Sequence, residues 1–152
     1  KDELLSEALH MEDVRFSGFL QKTLPVMHMP KLPWKARAYI LWKNSWEHIL
    51  GVPDDCAFYI RYYYSASCRA HAYEKHLACF RPLIEKASAS FKPGTHMDML
   101  IHQIFSTMLF FASRVLSGEL ENNEETTIWA FEQIYSFVVP NVRAEVLEEE
   151  DK

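Results

Sequence analysis

The chain has 152 residues, 49% of them hydrophobic and 24% charged, which is typical of one soluble domain with a substantial core. Its formal net charge of −5 and the lack of a basic stripe argue against a nucleic-acid-binding surface. No uninterrupted apolar run reaches the roughly 18 residues that a membrane span requires. The 3 widely spaced cysteines argue against a disulfide framework. We therefore expect one cytoplasmic domain over residues 1–152 that does not contact a membrane.

The pattern along the chain is helical, because only 4 glycines occur and no alternation of apolar and polar residues is long enough for a strand. The first helix is predicted from Asp2 to Thr23, and Glu12 projects into its broad apolar face. The stretch from Leu24 to Leu32 contains two prolines and is predicted to be a loop that lies on the body of the domain. The sequence thus predicts an all-α fold.

Three further helices are predicted before residue 90. The second begins near Pro33, a favoured first-turn position, and ends before Gly51. A short third helix begins at Pro53, and the fourth runs from about Ser67 to Ser88. A proline at position 82 within the fourth helix is expected to kink it, because it removes a backbone hydrogen bond.

Residues 95–140 are predicted to form two long helices joined by a short turn. Thr95 and Asp98 fit a capping box at the start of the first, and Gly118 is expected to end it in the left-handed conformation. Asn122 or Asn123 is expected to cap the second helix, which ends at a proline. With this pair the prediction is six main helices, followed by an acidic tail, residues 145–151, that either extends a helix or, as we expect, frays.

Both long helices carry more apolar surface than one core can bury. Leu100 and Ile104 share one face of the first, whereas Met99 and Phe110 lie on its opposite side. Trp129 likewise lies away from the apolar face of the second helix. Such residues can be ordinary surface side chains. The alternative is that an identical subunit covers Met99, Phe110 and Trp129 in a two-fold dimer.

No arrangement of residues predicts catalysis or metal binding. Cys68 and Cys79 share a predicted helix but lie about 16 Å apart at a rise of 1.5 Å per residue. Glu7 and His10 form one Glu-x-x-His pair, whereas a di-iron bundle needs two. The chain also has no nucleophile elbow, phosphate-binding glycine loop or dinucleotide fingerprint. We expect no catalytic residue, no metal and no cofactor, and hence no enzyme.

Two polar residues, Glu12 and His76, occupy positions within otherwise apolar helix faces. A buried polar group needs a partner, so they could bond to each other or to a backbone carbonyl. The alternative is that both point into a ligand cavity, as the few polar groups of apolar pockets do. Its walls would be formed by large aromatic residues, namely Trp42, Trp46, Tyr62 and Phe80.

The order of parts resembles a known family. The opening residues 1–5, Lys-Asp-Glu-Leu-Leu, resemble the segment that closes the DNA-binding domain of TetR-like transcriptional regulators and begins their linking helix. Six helices follow in that family's order. The second half of the chain resembles the C-terminal half of that family. It contains the segment 91–94, then a long helix, then Ser117 and Gly118, and then a final helix with an acidic cap.

This resemblance implies the effector-binding and dimerisation domain of a bacterial regulator such as a repressor, with the N-terminal helix-turn-helix absent from the chain. In that family the last two long helices form a four-helix dimer bundle, and the remaining helices enclose a pocket. A small, mostly apolar or aromatic effector shifts the linking helix and so changes DNA binding. The alternative function is a helical protein-interaction module without a small-molecule site.

Overall fold

The computed structural model describes residues 1–148, and within them it confirms the all-α prediction. The helices, numbered in chain order, are α1 Asp2–Thr23, α2 Trp34–Leu50, α3 Pro53–Tyr63, α4 Ala66–His71, α5 Tyr73–Ser88, α6 Met97–Leu116, α7 Glu124–Val138 and α8 Ala144–Glu148. Short 3-10 helices, Leu24–His28 and Val139–Asn141, follow α1 and α7. The predicted fraying of the tail beyond residue 148 lies outside the described residues.

Most helix ends fall where the local chemistry predicts them. Gly118 has φ +84° directly after α6, a conformation that glycine adopts without strain. The side chain of Asn123 accepts a hydrogen bond of 2.9 Å from the backbone N–H of Thr126 and so caps α7. The prediction of a capping box at Thr95 was wrong. The Thr95 hydroxyl donates to the Lys92 carbonyl at 2.7 Å, because Thr95 belongs to the preceding turn and α6 begins only at Met97.

The predicted fourth helix is two helices. Ala72, at φ −130° and ψ −18°, interrupts it between α4 and α5. Ser65 starts α4 as a separate unit, since its side chain accepts a hydrogen bond of 3.1 Å from the Cys68 N–H. The helix α5 then continues through Pro82. This division and the short α8 account for eight helices in residues 1–148 where six were predicted.

The core is built around one aromatic residue of α6, Phe105. Its ring lies 5.1 Å from those of His76 and Phe80, and 5.9 Å from that of Phe16, so α6 joins α5 and α1. Within residues 1–148, α6 alone is long and apolar enough to cross a membrane by length and composition, a test that core helices of soluble proteins also pass. Here α6 packs against α3, α5 and α7.

Candidate ligand-binding cavity

An apolar cavity of about 270 Å³ lies between α1, α2, α5, α6 and α7. This volume is near the lower end of the range for small-molecule sites, about 300 Å³. Its walls are mainly aliphatic and aromatic side chains, including Leu20, Trp34, Leu41, Ile84, Ile104 and Phe131. The cavity can therefore accommodate an apolar molecule and offers few hydrogen bonds to orient it.

Polar contacts at its edges hold these walls in place. The Trp42 Nε1–H donates to the Thr127 carbonyl at 3.0 Å, which ties α2 to the first turn of α7. Arg37 of α2 donates to the Met27 carbonyl at 2.6 Å, so the Leu24–His28 segment is fixed against α2. This segment lies on the body of the domain, as its sequence predicted, and Met27 lines the cavity.

Two of the six predicted ligand-binding residues, Trp42 and Phe80, line this cavity. The other four, Trp46, Tyr62, His76 and Glu12, do not, so the prediction of one pocket formed by all six was wrong. The physical reason is that α6 and α7 supply much of the wall, whereas α3, which carries Tyr62, supplies none of it. Leu100 and Ile104 had been assigned to one face of the first long helix, but their role as cavity walls had not been predicted.

His76 bonds to a residue that the sequence reading overlooked. Its Nδ1 lies 2.9 and 3.0 Å from the two carboxylate oxygens of Asp13, whereas the partners considered from the sequence were Glu12, a backbone carbonyl or a ligand. The hydroxyl of Tyr59 donates to the same carboxylate. Exposures of 1% for Asp13 and 2% for His76 and Tyr59 leave no access for a substrate. The cluster joins α1, α3 and α5 and is structural.

The burial of Asp13 could have been predicted from the spacing of apolar residues in α1. The buried residues of α1 include Leu9, Asp13 and Phe16, which follow the four-and-three spacing of one helix face. Glu12 lies beside that face and is only half-buried. Burial and the neighbouring carboxylate of Asp55 raise the pKa of Glu12, and Arg15 at 3.4 Å opposes this shift.

Trp46 and Tyr62 pack against other aromatic residues, outside the apolar cavity. Trp46 stacks on Trp42 with ring centroids 5.2 Å apart, and it borders a separate, more polar hollow of about 350 Å³ that includes Lys43 and Glu47. Tyr62 stacks on Phe58 at 5.7 Å and lies 3.4 Å from the Ser67 hydroxyl. The apolar cavity is the better candidate site although it is smaller, because its lining is almost entirely apolar, whereas that of the hollow is mixed.

The three residues predicted at a dimer interface are exposed in the single chain. Met99 is 61%, Phe110 50% and Trp129 49% exposed. The buried ring of Phe111 lies 5.5 Å from Phe110 and 5.2 Å from Trp129, so these two exposed aromatics, one on α6 and one on α7, pack against the same buried ring. We call the surface formed by Met99, Phe110 and Trp129 the α6–α7 face.

No protein-family model matches the chain, and neither a curated protein nor a solved structure does. Within residues 1–148 no group of three or more histidine, cysteine or acidic side chains is placed to hold a metal ion. The cavity and the α6–α7 face are therefore the two candidate functional features of the described residues.

Proposed function

We propose that this chain is the effector-binding and dimerisation domain of a TetR-like transcriptional regulator. The observation that carries the proposal is the apolar cavity enclosed by α1, α2, α5, α6 and α7. Its effector is a small, mostly apolar molecule. Because the walls include α1, a bound effector would contact the helix that corresponds, by the resemblance, to the linking helix of the family.

The second element of the proposal is a homodimer formed through the α6–α7 face. An obligate interface typically buries about 2,000 Å² or more, and exposed aromatic rings are its usual anchors. DNA would be contacted by a separate helix-turn-helix and not by these residues. In support of that division, the net charge of −5 disfavours binding to a phosphate backbone.

The ligand-binding proposal is tested with N-phenyl-1-naphthylamine, a neutral apolar probe that fluoresces when water is excluded. Ala38→Phe places a ring in the cavity wall, and Ala70→Phe is its matched control on exposed α4. The proposal predicts saturable binding by the wild type and Ala70→Phe, and its loss in Ala38→Phe. A probe at 100 times its dissociation constant should stabilise the fold by about 2.7 kcal/mol. Equal fluorescence with all three proteins would reject the cavity as a site.

The alternative function is a helical protein-interaction module. The exposed α6–α7 face favours this alternative if no small molecule binds in the cavity. Such a module would bind another protein through Phe110 and Trp129 without requiring any small molecule. The two functions differ in one result. Ala38→Phe would leave the interaction module unaffected, whereas it would abolish ligand binding by the regulator.

A further inference from the structure

Two residues mark the opening of the cavity. Of the residues between 1 and 148 that line it, only His28 and Lys86 are exposed, and the others are buried or half-buried. Lys86 lies in the last turn of α5, and His28 is the last residue of the 3-10 helix after α1. A molecule in the cavity would therefore present its solvent-facing end to an imidazole and an ammonium group.

Within residues 1–148, no negatively charged residue of the lining balances the Lys86 ammonium. The lining residues in this part of the chain include neither aspartate nor glutamate. Within residues 1–148, Lys86 forms no ion pair, whereas Lys75 on the same helix lies 3.1 Å from Glu7. The hydroxyl of Ser45 is already used, since it donates to the Leu41 carbonyl at 2.7 Å. The wall is thus apolar inside and positively charged at its edge.

We propose that the cavity binds a single-chain alkyl carboxylate, a deepening that rests on the ligand-binding function proposed above. The alkyl chain lies among Trp34, Ile84 and Ile104, and the carboxylate remains at the opening beside Lys86 and His28. The enclosed part of the ligand needs no hydrogen-bond partner, and the charged part stays hydrated. An alkyl ammonium ion of the same length would meet the like charge of Lys86.

The head group is tested by comparing three ligands with the same chain: decanoate, decanol and decylammonium. Trp34 and Trp42 line the cavity, so intrinsic tryptophan fluorescence reports binding of each. We expect decanoate to bind up to about fivefold more tightly than decanol, which corresponds to an exposed ion pair of about 1 kcal/mol. Decylammonium should bind most weakly, and added salt should reduce these differences.

The chain is tested by length. Octanoate should bind about sixteenfold more weakly than decanoate, because each buried methylene contributes about 0.8 kcal/mol, or about fourfold in affinity. If decanol binds as tightly as decanoate, the cavity remains a ligand site but the preference for a carboxylate is rejected. Failure of all three ligands to bind would reject the ligand-binding function together with this inference.

The residues at the opening are tested by the double variant Lys86→Gln/His28→Gln. It should lose the preference for decanoate over decanol while keeping its affinity for decanol. The matched control is Lys43→Gln, an exposed lysine of α2 that borders the separate polar hollow. If the control loses the preference as fully as the double variant, or the double variant keeps it, the assignment of the head group to this opening is wrong.

Discussion

Asp13 connects three helices through one buried carboxylate. His76 approaches both of its oxygens, and Tyr59 donates a hydrogen bond to one of them. Burial, together with the same contact, raises the pKa of Tyr59 well above its ordinary value, so this hydroxyl stays protonated and remains a donor. A carboxylate with two donors is stable in the interior, whereas removal of either donor leaves a lone pair unsatisfied.

Replacing His76 by leucine should therefore destabilise the fold. Breaking a buried pair by removing one partner costs about 3–5 kcal/mol, because Asp13 would keep only the Tyr59 hydroxyl. The matched control is His71→Leu, since His71 is exposed and lies 3.6 Å from Asp2. Urea denaturation should place the control within about 0.5 kcal/mol of the wild type. Equal stability of the two variants would contradict the structural role of the pair.

His48 is a second histidine whose surroundings matter for stability. Its ring stacks on Phe19 at 4.2 Å and on Phe16 at 5.8 Å. Burial lowers the pKa of His48, and Arg15 lowers it further. The unfolded chain therefore binds this proton more readily than the folded chain, so the free energy of unfolding falls as the pH drops below about 6.5.

His48→Phe keeps an aromatic ring and removes the proton site. The variant should lose less stability than the wild type between about pH 7.5 and about pH 5.5, because one source of proton uptake on unfolding is gone. Urea midpoints measured at both pH values give the comparison, and a uniform offset from altered packing cancels in it. The same loss of stability in both proteins would mean that His48 does not titrate differently on folding.

At the scale of the element, short-range chemistry predicted most of the helix ends, whereas contacts between distant residues could not be predicted. Gly118 and Asn123 act within one turn of the chain, so their roles could be predicted from the sequence. The pairing of His76 with Asp13 spans 63 residues, and nothing local indicates it. Lys86 and His28 are likewise distant in sequence. Their common position at the edge of the cavity therefore depends on how α5 and the 3-10 helix pack, which the sequence does not indicate.

Two glycines provide a matched test of the helix ends. Gly118→Ala should destabilise the fold by roughly 1–2 kcal/mol, since alanine at φ +84° is strained. Gly18→Ala should stabilise it by about 0.5–1 kcal/mol, because Gly18 lies inside α1 and a Cβ there meets no heavy atom within 4 Å. Thermal and urea denaturation measure both. Effects of the same sign would contradict the turn assigned to Gly118.

At the scale of the whole molecule, the proposed dimer makes a prediction of its own. Phe110→Glu/Trp129→Glu should produce monomers or insoluble protein, because two charges from each chain would have to enter the interface. The matched control is Met11→Glu/Val14→Glu, which alters two exposed apolar residues of α1. Light scattering at micromolar concentration should show dimers for the wild type and the control. A monomeric wild type would contradict the dimer while leaving the cavity unaffected.

Native mass spectrometry in the presence of N-phenyl-1-naphthylamine tests the central claim most directly, because one spectrum counts both chains and bound molecules. The wild type should appear as two chains carrying two probe molecules, one in each apolar cavity. Ala38→Phe should appear as two chains carrying none. Wild-type dimers without the probe, or equal occupancy in Ala38→Phe, would contradict the claim that the cavity between α1, α2, α5, α6 and α7 is a ligand-binding site.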